Sequence, residues 1–331
     1  MAIAANGRVG IIANPVSGKD IRRLVAHAST FDNNEKINIV RRALLALDSL
    51  GIGEVWYLPD SYAIVERAAA TAELALDLQP LPMEVIGNAS DSYEAACRLV
   101  DLGAGAIITL GGDGTNRVVA KGCEEVPLVA VSTGTNNVFP RMVEGTLAGL
   151  AAGLAALGVA DEAIARRPRL DILINDEPRD IALIDVVTSP QQWIGARAVW
   201  EPGHIREVVL SRIMSGEIGI CGIGGMLFPD AAGSSFGAHI VVGGEGTSVM
   251  APLAPGIVHE VPIAGAAKVL PGESVRLQSA PGTIALDGER EIELLTDQDE
   301  IIVTLNPHGP FVVDIPGAIN QGALAGVFTR S

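Results

Sequence analysis

Through the first half of the chain, short β-branched apolar runs alternate with longer stretches of helical period. Residues 9–13, 54–58, 83–86, 106–110 and 127–131 are brief apolar runs closed by Gly, Pro or polar residues, the pattern of buried parallel strands. Between them, residues 34–50, 61–78 and 90–102 are predicted helices, with Ser90 placed as an N-cap and Gly51 and Gly103 as C-terminal caps. A further helical pattern runs from Asn116 towards Lys121. The Leu/Ala/Gly stretch 146–160 reads as a packed helix, too short for a membrane span of about 20 residues. This alternation predicts a doubly wound α/β domain over residues 1–165.

The pattern changes at Arg166-Arg167-Pro168. Residues 181–187, 196–200, 208–213, 218–223, 238–242, 257–263, 274–277 and 301–305 are short apolar runs broken by Gly and Pro. Residues 283–290 read as a strand entering a hairpin turn at Asp287-Gly288. Residues 166–331 are therefore expected to form a predominantly β domain. The predicted fold class is α/β: an N-terminal doubly wound domain followed by a mainly β domain.

A length of 331 residues accommodates two domains, and 48% hydrophobic against 19% charged residues marks a folded chain. The formal charge of −16 argues against a nucleic-acid-binding surface and against stable docking on an anionic membrane. Cys97, Cys123 and Cys221 have neither zinc spacing nor the density of a disulfide framework. Residues 1–20 show no signal-peptide pattern, so the expected location is the cytoplasm.

Three polar glycine turns follow the first, fourth and fifth predicted strands. The first holds Asn14, Ser17, Gly18 and Lys19; the second is Gly111-Gly112-Asp113-Gly114-Thr115; the third holds Gly134, Thr135, Asn136 and Asn137. In an open parallel sheet, ligands bind outside the strand C-termini, so all three turns open on one edge. Glycine turns leading into helices present N–H groups to phosphate. A carboxylate amid such a turn, Asp113, would repel a polyphosphate unless a metal ion or a reacting hydroxyl proton lay between them. That combination points to phosphoryl transfer, with Asp113 as the catalytic carboxylate, either proton acceptor or magnesium ligand. Arg22, Arg23 and His27 read as solvated basic residues. His204, His239, His259 and His308 show no partner spacing and read as structural or surface histidines. Trp56, Trp193 and Trp200 read as packing residues.

Taken together, GGDGT at 111–115, NPVSG at 14–18, GTNN at 134–137 and DGE at 287–289 resemble, in order and approximate spacing, the motifs of the NAD kinase, diacylglycerol kinase and sphingosine kinase superfamily. The resemblance covers most of the chain and is closest to the NAD-kinase-like proteins that include acetoin-catabolism protein X. It implies an ATP-dependent kinase acting on a hydroxyl of NAD or a related soluble molecule, with Mg2+ or another divalent cation. Asp287 and Glu289 would supply a metal ligand from the second domain, across an interdomain cleft, and a homo-oligomer is expected. Two departures weigh against NAD itself as the acceptor. Where NAD kinases carry an Asn-Glu pair, this chain has Ile184-Asp185. A TPTGSTAY-type segment is missing, with residues 243–248 at most a loose echo. The alternatives are a lipid or small-polyol kinase, a polyphosphate donor in place of ATP, and a nucleotide-binding regulatory protein with little turnover.

Overall fold

The structure, a computed structural model, describes residues 7–18, 31–194, 198–199, 201–231 and 235–329. Lys19, Arg22, Arg23, His27 and Trp200 lie outside the described residues.

Five parallel strands form the base of the first half: β1 (Arg8–Ala13), β2 (Glu54–Tyr57), β3 (Asp77–Pro80), β4 (Ala106–Gly111) and β5 (Leu128–Ser132). Their spatial order is β3-β2-β1-β4-β5. The winding direction therefore reverses between β1 and β4, where a crevice opens at the strand C-termini. Ile11 and Ile108 face one side of the sheet, with the helices Asn33–Ser49 and Gly145–Ala156. Ile12 and Ile107 face the other, with Ala89–Asp101 and Asp113–Ala120. The first pair of helices touches closely: a Cβ on Gly149 would stand 2.4 Å from the Ala43 carbonyl oxygen. That contact is why the 146–160 stretch alternates glycine with small apolar residues.

Three local expectations change. The helix expected over residues 61–78 is confined to Ile64–Ala69, and the third strand lies at Asp77–Pro80 rather than 83–86. Asp48 Oδ1 accepts the N–H groups of Ala75 and Leu76, drawing that segment beside β2. Residues 83–86 are instead pulled toward the next helix, because the Asp91 carboxylate accepts from the N–H groups of Ile86, Gly87 and Asn88. The N-cap there is Asn88, not Ser90.

After β6 (Ile164–Arg166) come β7 (Arg169–Ile174), β8 (Glu177–Ala182), β9 (Asp185–Ser189), β10 (Glu207–Leu210), β11 (Gly237–Ala254), β12 (Ile257–Val269), β13 (Ser274–Leu277), β14 (Gly282–Leu286), β15 (Glu289–Leu294) and β16 (Ile301–Asn306). They make a six-stranded sheet, β12-β11-β10-β9-β14-β15, and a four-stranded sheet, β13-β16-β7-β8. Val186, Val209 and Ile284 of the first meet Leu170, Ile301 and Val303 of the second, giving a β sandwich. The opposite face of the larger sheet, through Val187, Val208 and Ala285, shares a core with Ile107 and Leu128 of the α/β half.

Residues 218–223, expected as a strand, lead into the helix Cys221–Leu227; a short apolar run does not distinguish the two. Trp193 is 69% exposed and does not pack in the core. Residues 166–331 do not all stay in the second half. Strand β17 (Phe311–Val313) returns to pair with β5 and β6, and Ile315–Leu324 packs on Gly145–Ala156. Among the described residues, no helix is long and apolar enough to cross a membrane.

Candidate active site

The NPVSG and GGDGT turns flank the β1/β4 reversal, and side chains tie them together. Asn14 Nδ2 donates to Thr115 Oγ1 at 2.8 Å. Thr133 Oγ1, at the head of the third turn, donates to Ser17 Oγ at 2.8 Å. Gly18 packs against the Thr133 carbonyl, and Gly112 against the Asn137 side chain. The three turns thus form one hydrogen-bonded edge. Thr135 is exposed on it, and Asn136 Oδ1 is buried without a hydrogen-bond partner.

The helix after β4 begins at Asp113, three residues earlier than the pattern from Asn116, with Gly112 as N-cap. Its first-turn N–H groups therefore lie at the turn, where an anion is favoured. At Gly111 a Cβ would stand 2.5 Å from Thr115 Cβ, so only glycine lets the strand enter the helix this tightly. Asn116, fully buried, braces the turn from below: it accepts from Thr109 Oγ1 at 2.6 Å and donates to the Gly112 carbonyl at 2.9 Å.

Asp113 is buried, and its carboxylate is engaged with the third turn. Oδ1 accepts from Val138 N–H at 3.0 Å and Phe139 N–H at 2.7 Å, and Oδ2 from Val138 N–H at 3.1 Å. The carboxylate thus fixes the loop that carries Asn136 and Asn137.

From the second domain, Glu289 reaches the GGDGT turn, its Oε2 being 3.9 Å from where a Gly114 Cβ would lie. Asp287 and Gly288 both take positive φ, 52° and 77°, in a two-residue hairpin between β14 and β15. The Asp287 side chain turns inward. Oδ1 accepts from the N–H groups of Leu183 and Ile184 at 2.9 and 2.8 Å, and Oδ2 faces Arg117 Nε at 3.6 Å. Asp185 completes the brace: its carbonyl accepts from Asp287 N–H and its Oδ1 from Gly288 N–H.

Asp287 therefore does not fit the metal-ligand role that the resemblance implies. One carboxylate oxygen faces the Arg117 guanidinium, and two amides hold the other. Burial pushes the Asp287 carboxyl well above the ordinary aspartate range; Arg117 opposes the shift and Asp185 and Asp113 add to it. Among the described residues, no group of three or more His, Cys, Asp or Glu side chains is arranged to hold a metal ion. Burial likewise holds the Cys221 thiol well above its usual value, with Asp185 and Asp113 adding to it, so it is no thiolate nucleophile.

Two site residues escaped the sequence reading. Lys36 is fully buried, and its ammonium donates to the carbonyls of Asn14 and Ser17, both at 2.8 Å, and to Asn33 Oδ1 at 3.1 Å. Its signal was a lysine on the apolar stripe shared by Val40 and Leu44. Arg117, 4% exposed, pairs across the domain junction with Asp180 at 3.3 Å and Glu291 at 3.0 Å as well as with Asp287. Its partners lie far along the chain, and nothing local announces them.

Comparison with known proteins agrees with this layout. Residues 9–157 match the ATP-NAD kinase N-terminal domain, and residues 168–308 match the acetoin catabolism protein X C-terminal domain. The chain is 40% identical over 331 aligned residues to acetoin catabolism protein X of Cupriavidus necator, covering 95% of this chain and 91% of that protein. The chain belongs to the acetoin catabolism protein X family, with an NAD-kinase-like α/β domain as its first half.

Proposed function

We propose that this protein is a kinase that transfers a phosphoryl group from ATP to a hydroxyl of NAD or a related soluble small molecule. The observation that carries this reading is the single edge formed by the three glycine turns at the β1/β4 reversal. The first-turn N–H groups at Gly114 and Thr115 receive phosphate oxygens; Asn14 and Ser17 hold the neighbouring turn in place. The acceptor hydroxyl oxygen attacks the terminal phosphorus, the bond to the nucleoside diphosphate breaks, and Asp113 takes the hydroxyl proton. The same carboxylate positions the Asn136–Asn137 turn. A divalent cation accompanying ATP would neutralise charge on the phosphates; Asp287 is not assigned to hold it. The site is placed between the two domains, with Glu289 as the second domain's contribution. A cytoplasmic location and a homo-oligomeric state belong to the same proposal.

One observation favours a second reading, a nucleotide-binding regulatory protein with little turnover: both Asp113 oxygens already accept backbone N–H groups. Magnesium-dependent ATP consumption, measured separately with NAD, NADH, a short-chain diacylglycerol and small polyols, decides between them. Turnover with any one acceptor supports the kinase and names its substrate. ATP binding with no turnover on any acceptor supports the regulatory reading.

A further inference from the structure

The two sheets of the β sandwich leave an open edge between β12 and β13, each the outermost strand of its sheet. A cavity of about 480 Å³ lies there, within the size range of small-molecule sites. His239, Lys268, Val269, Val275 and Arg276 are among the residues that line it. The cavity is separate from the candidate active site. His239 is registered with Val209, which faces the sandwich interior, whereas Val208 and Val187 face the α/β half from the other side of the same sheet.

A buried pair gives this cavity its chemistry. Glu207 of β10 is 7% exposed; its Oε1 accepts from Gln278 N–H at 2.7 Å and its Oε2 from His239 Nε2 at 2.8 Å. Burial pushes the Glu207 carboxyl up, but the bonds from His239 and Gln278 outweigh burial and hold it below the ordinary glutamate range. The carboxylate has no proton to give, so the ring donates through Nε2. A neutral imidazole then keeps Nδ1 as an acceptor, and His239 makes no other hydrogen bond among the described residues. The partners stand 32 residues apart, which is why no spacing announced them.

Lys268 supplies a cation to the same cavity. Its ammonium rests 4.5 Å from the Phe236 ring centroid and pairs with no carboxylate among the described residues. Arg276 is already balanced by Glu300 at 3.1 Å, and Glu273, also in the lining, turns Oε2 to Leu270 N–H. An acceptor nitrogen and an unbalanced ammonium beside apolar Val269 and Val275 suit an alcohol that carries a carboxylate. We propose that this cavity is a second binding site, apart from the glycine turns, for a small hydroxycarboxylate. The ligand hydroxyl donates to His239 Nδ1, and its carboxylate faces the Lys268 ammonium. The site goes beyond the kinase reading and does not depend on it.

The test is an NMR titration of the full chain, followed at the histidine ring signals, at constant ionic strength and without nucleotide. The probes are matched pairs: lactate against propionate, malate against succinate, and citrate against tricarballylate. At least one hydroxy acid is expected to move the His239 signal, which His239→Phe identifies by its loss. That acid is expected to bind about fivefold more tightly than its partner without the hydroxyl, the worth of one hydrogen bond. Lys268→Met is expected to weaken the binding about tenfold while leaving the hydroxyl preference in place. Should His239→Phe not fold, because Glu207 loses its partner, Lys268→Met carries the test by affinity, since that side chain is exposed. Failure of all the hydroxy acids to bind overturns the proposal, and so does equal affinity within every pair. Affinity indifferent to Lys268→Met would place the anion elsewhere, at the glycine turns for example, and overturns it as well.

Discussion

Arg117 Nε stands 3.6 Å from Asp287 Oδ2, with both side chains buried and neither atom hydrogen-bonded elsewhere. The pair joins the helix of the GGDGT turn to the hairpin that presents Glu289. Deleting the cation leaves a buried carboxylate uncompensated, so Arg117→Met is expected to lose about 3–5 kcal/mol at neutral pH. The folded Asp287 carboxyl already lies above its ordinary value. A carboxylate raised in this way contributes stability below its unfolded value and loses it as pH climbs through the folded value. Removing Arg117 raises the folded value further, so the gap between variant and wild type narrows as pH falls. Urea unfolding at intervals from pH 5 to pH 9 measures it, and a gap constant over that whole range would deny Asp287 the central part.

Asp113 carries two tasks in the proposed site, and Asp113→Asn separates them. The amide keeps one acceptor oxygen but turns an NH2 group towards the N–H groups of Val138 and Phe139. Stability is expected to drop by about 1–3 kcal/mol, the range for a buried donor left unmatched. Turnover is expected to fall by about 10²–10⁴-fold, the range for a lost general base. A thermal melt and an ATP-consumption assay on one preparation read both. Loss of stability with turnover preserved would make Asp113 a loop anchor alone.

These pairings explain what was and was not legible in the sequence. The parallel strands and glycine turns are local patterns, so β1, β4 and β5 and the three turns could be read directly. Residues 61–78 and 83–86 could not, because their paths are decided by Asp48 and Asp91 respectively, side chains on neighbouring helices. Asp287 shows the same limit at the site. A DG dipeptide announces a hairpin, but only the fold reveals Arg117 beside it. β17 also lay beyond reach: a three-residue strand completing a sheet begun nearly three hundred residues earlier has no periodic signal.

Lys36 is the buried support of the first turn. Replacing it with Met leaves the Asn14 and Ser17 carbonyls without their donor, at a cost of about 1–3 kcal/mol for each. Under the proposed function the turn also loses its fixed shape, so ATP affinity is expected to fall about tenfold, a change of about 1.4 kcal/mol. Denaturant unfolding and nucleotide titration give the two quantities. Unaltered ATP affinity in a folded Lys36→Met protein would separate this turn from donor binding.

Gly149 tests the close helix pair on the far face of the α/β sheet. A methyl group there meets the Ala43 carbonyl oxygen at 2.4 Å and Ala46 Cβ at 2.9 Å, and two packed helices must part to admit it. Gly149→Ala is expected to destabilise by about 1–3 kcal/mol despite alanine's better helix propensity, which is worth about 1 kcal/mol in the opposite direction. Gly53→Ala is the control, since a Cβ there meets nothing within 4 Å. Matched urea melts of the two variants decide the point. Equal stability of the pair would mean that the Asn33–Ser49 and Gly145–Ala156 helices do not depend on backbone-to-backbone approach.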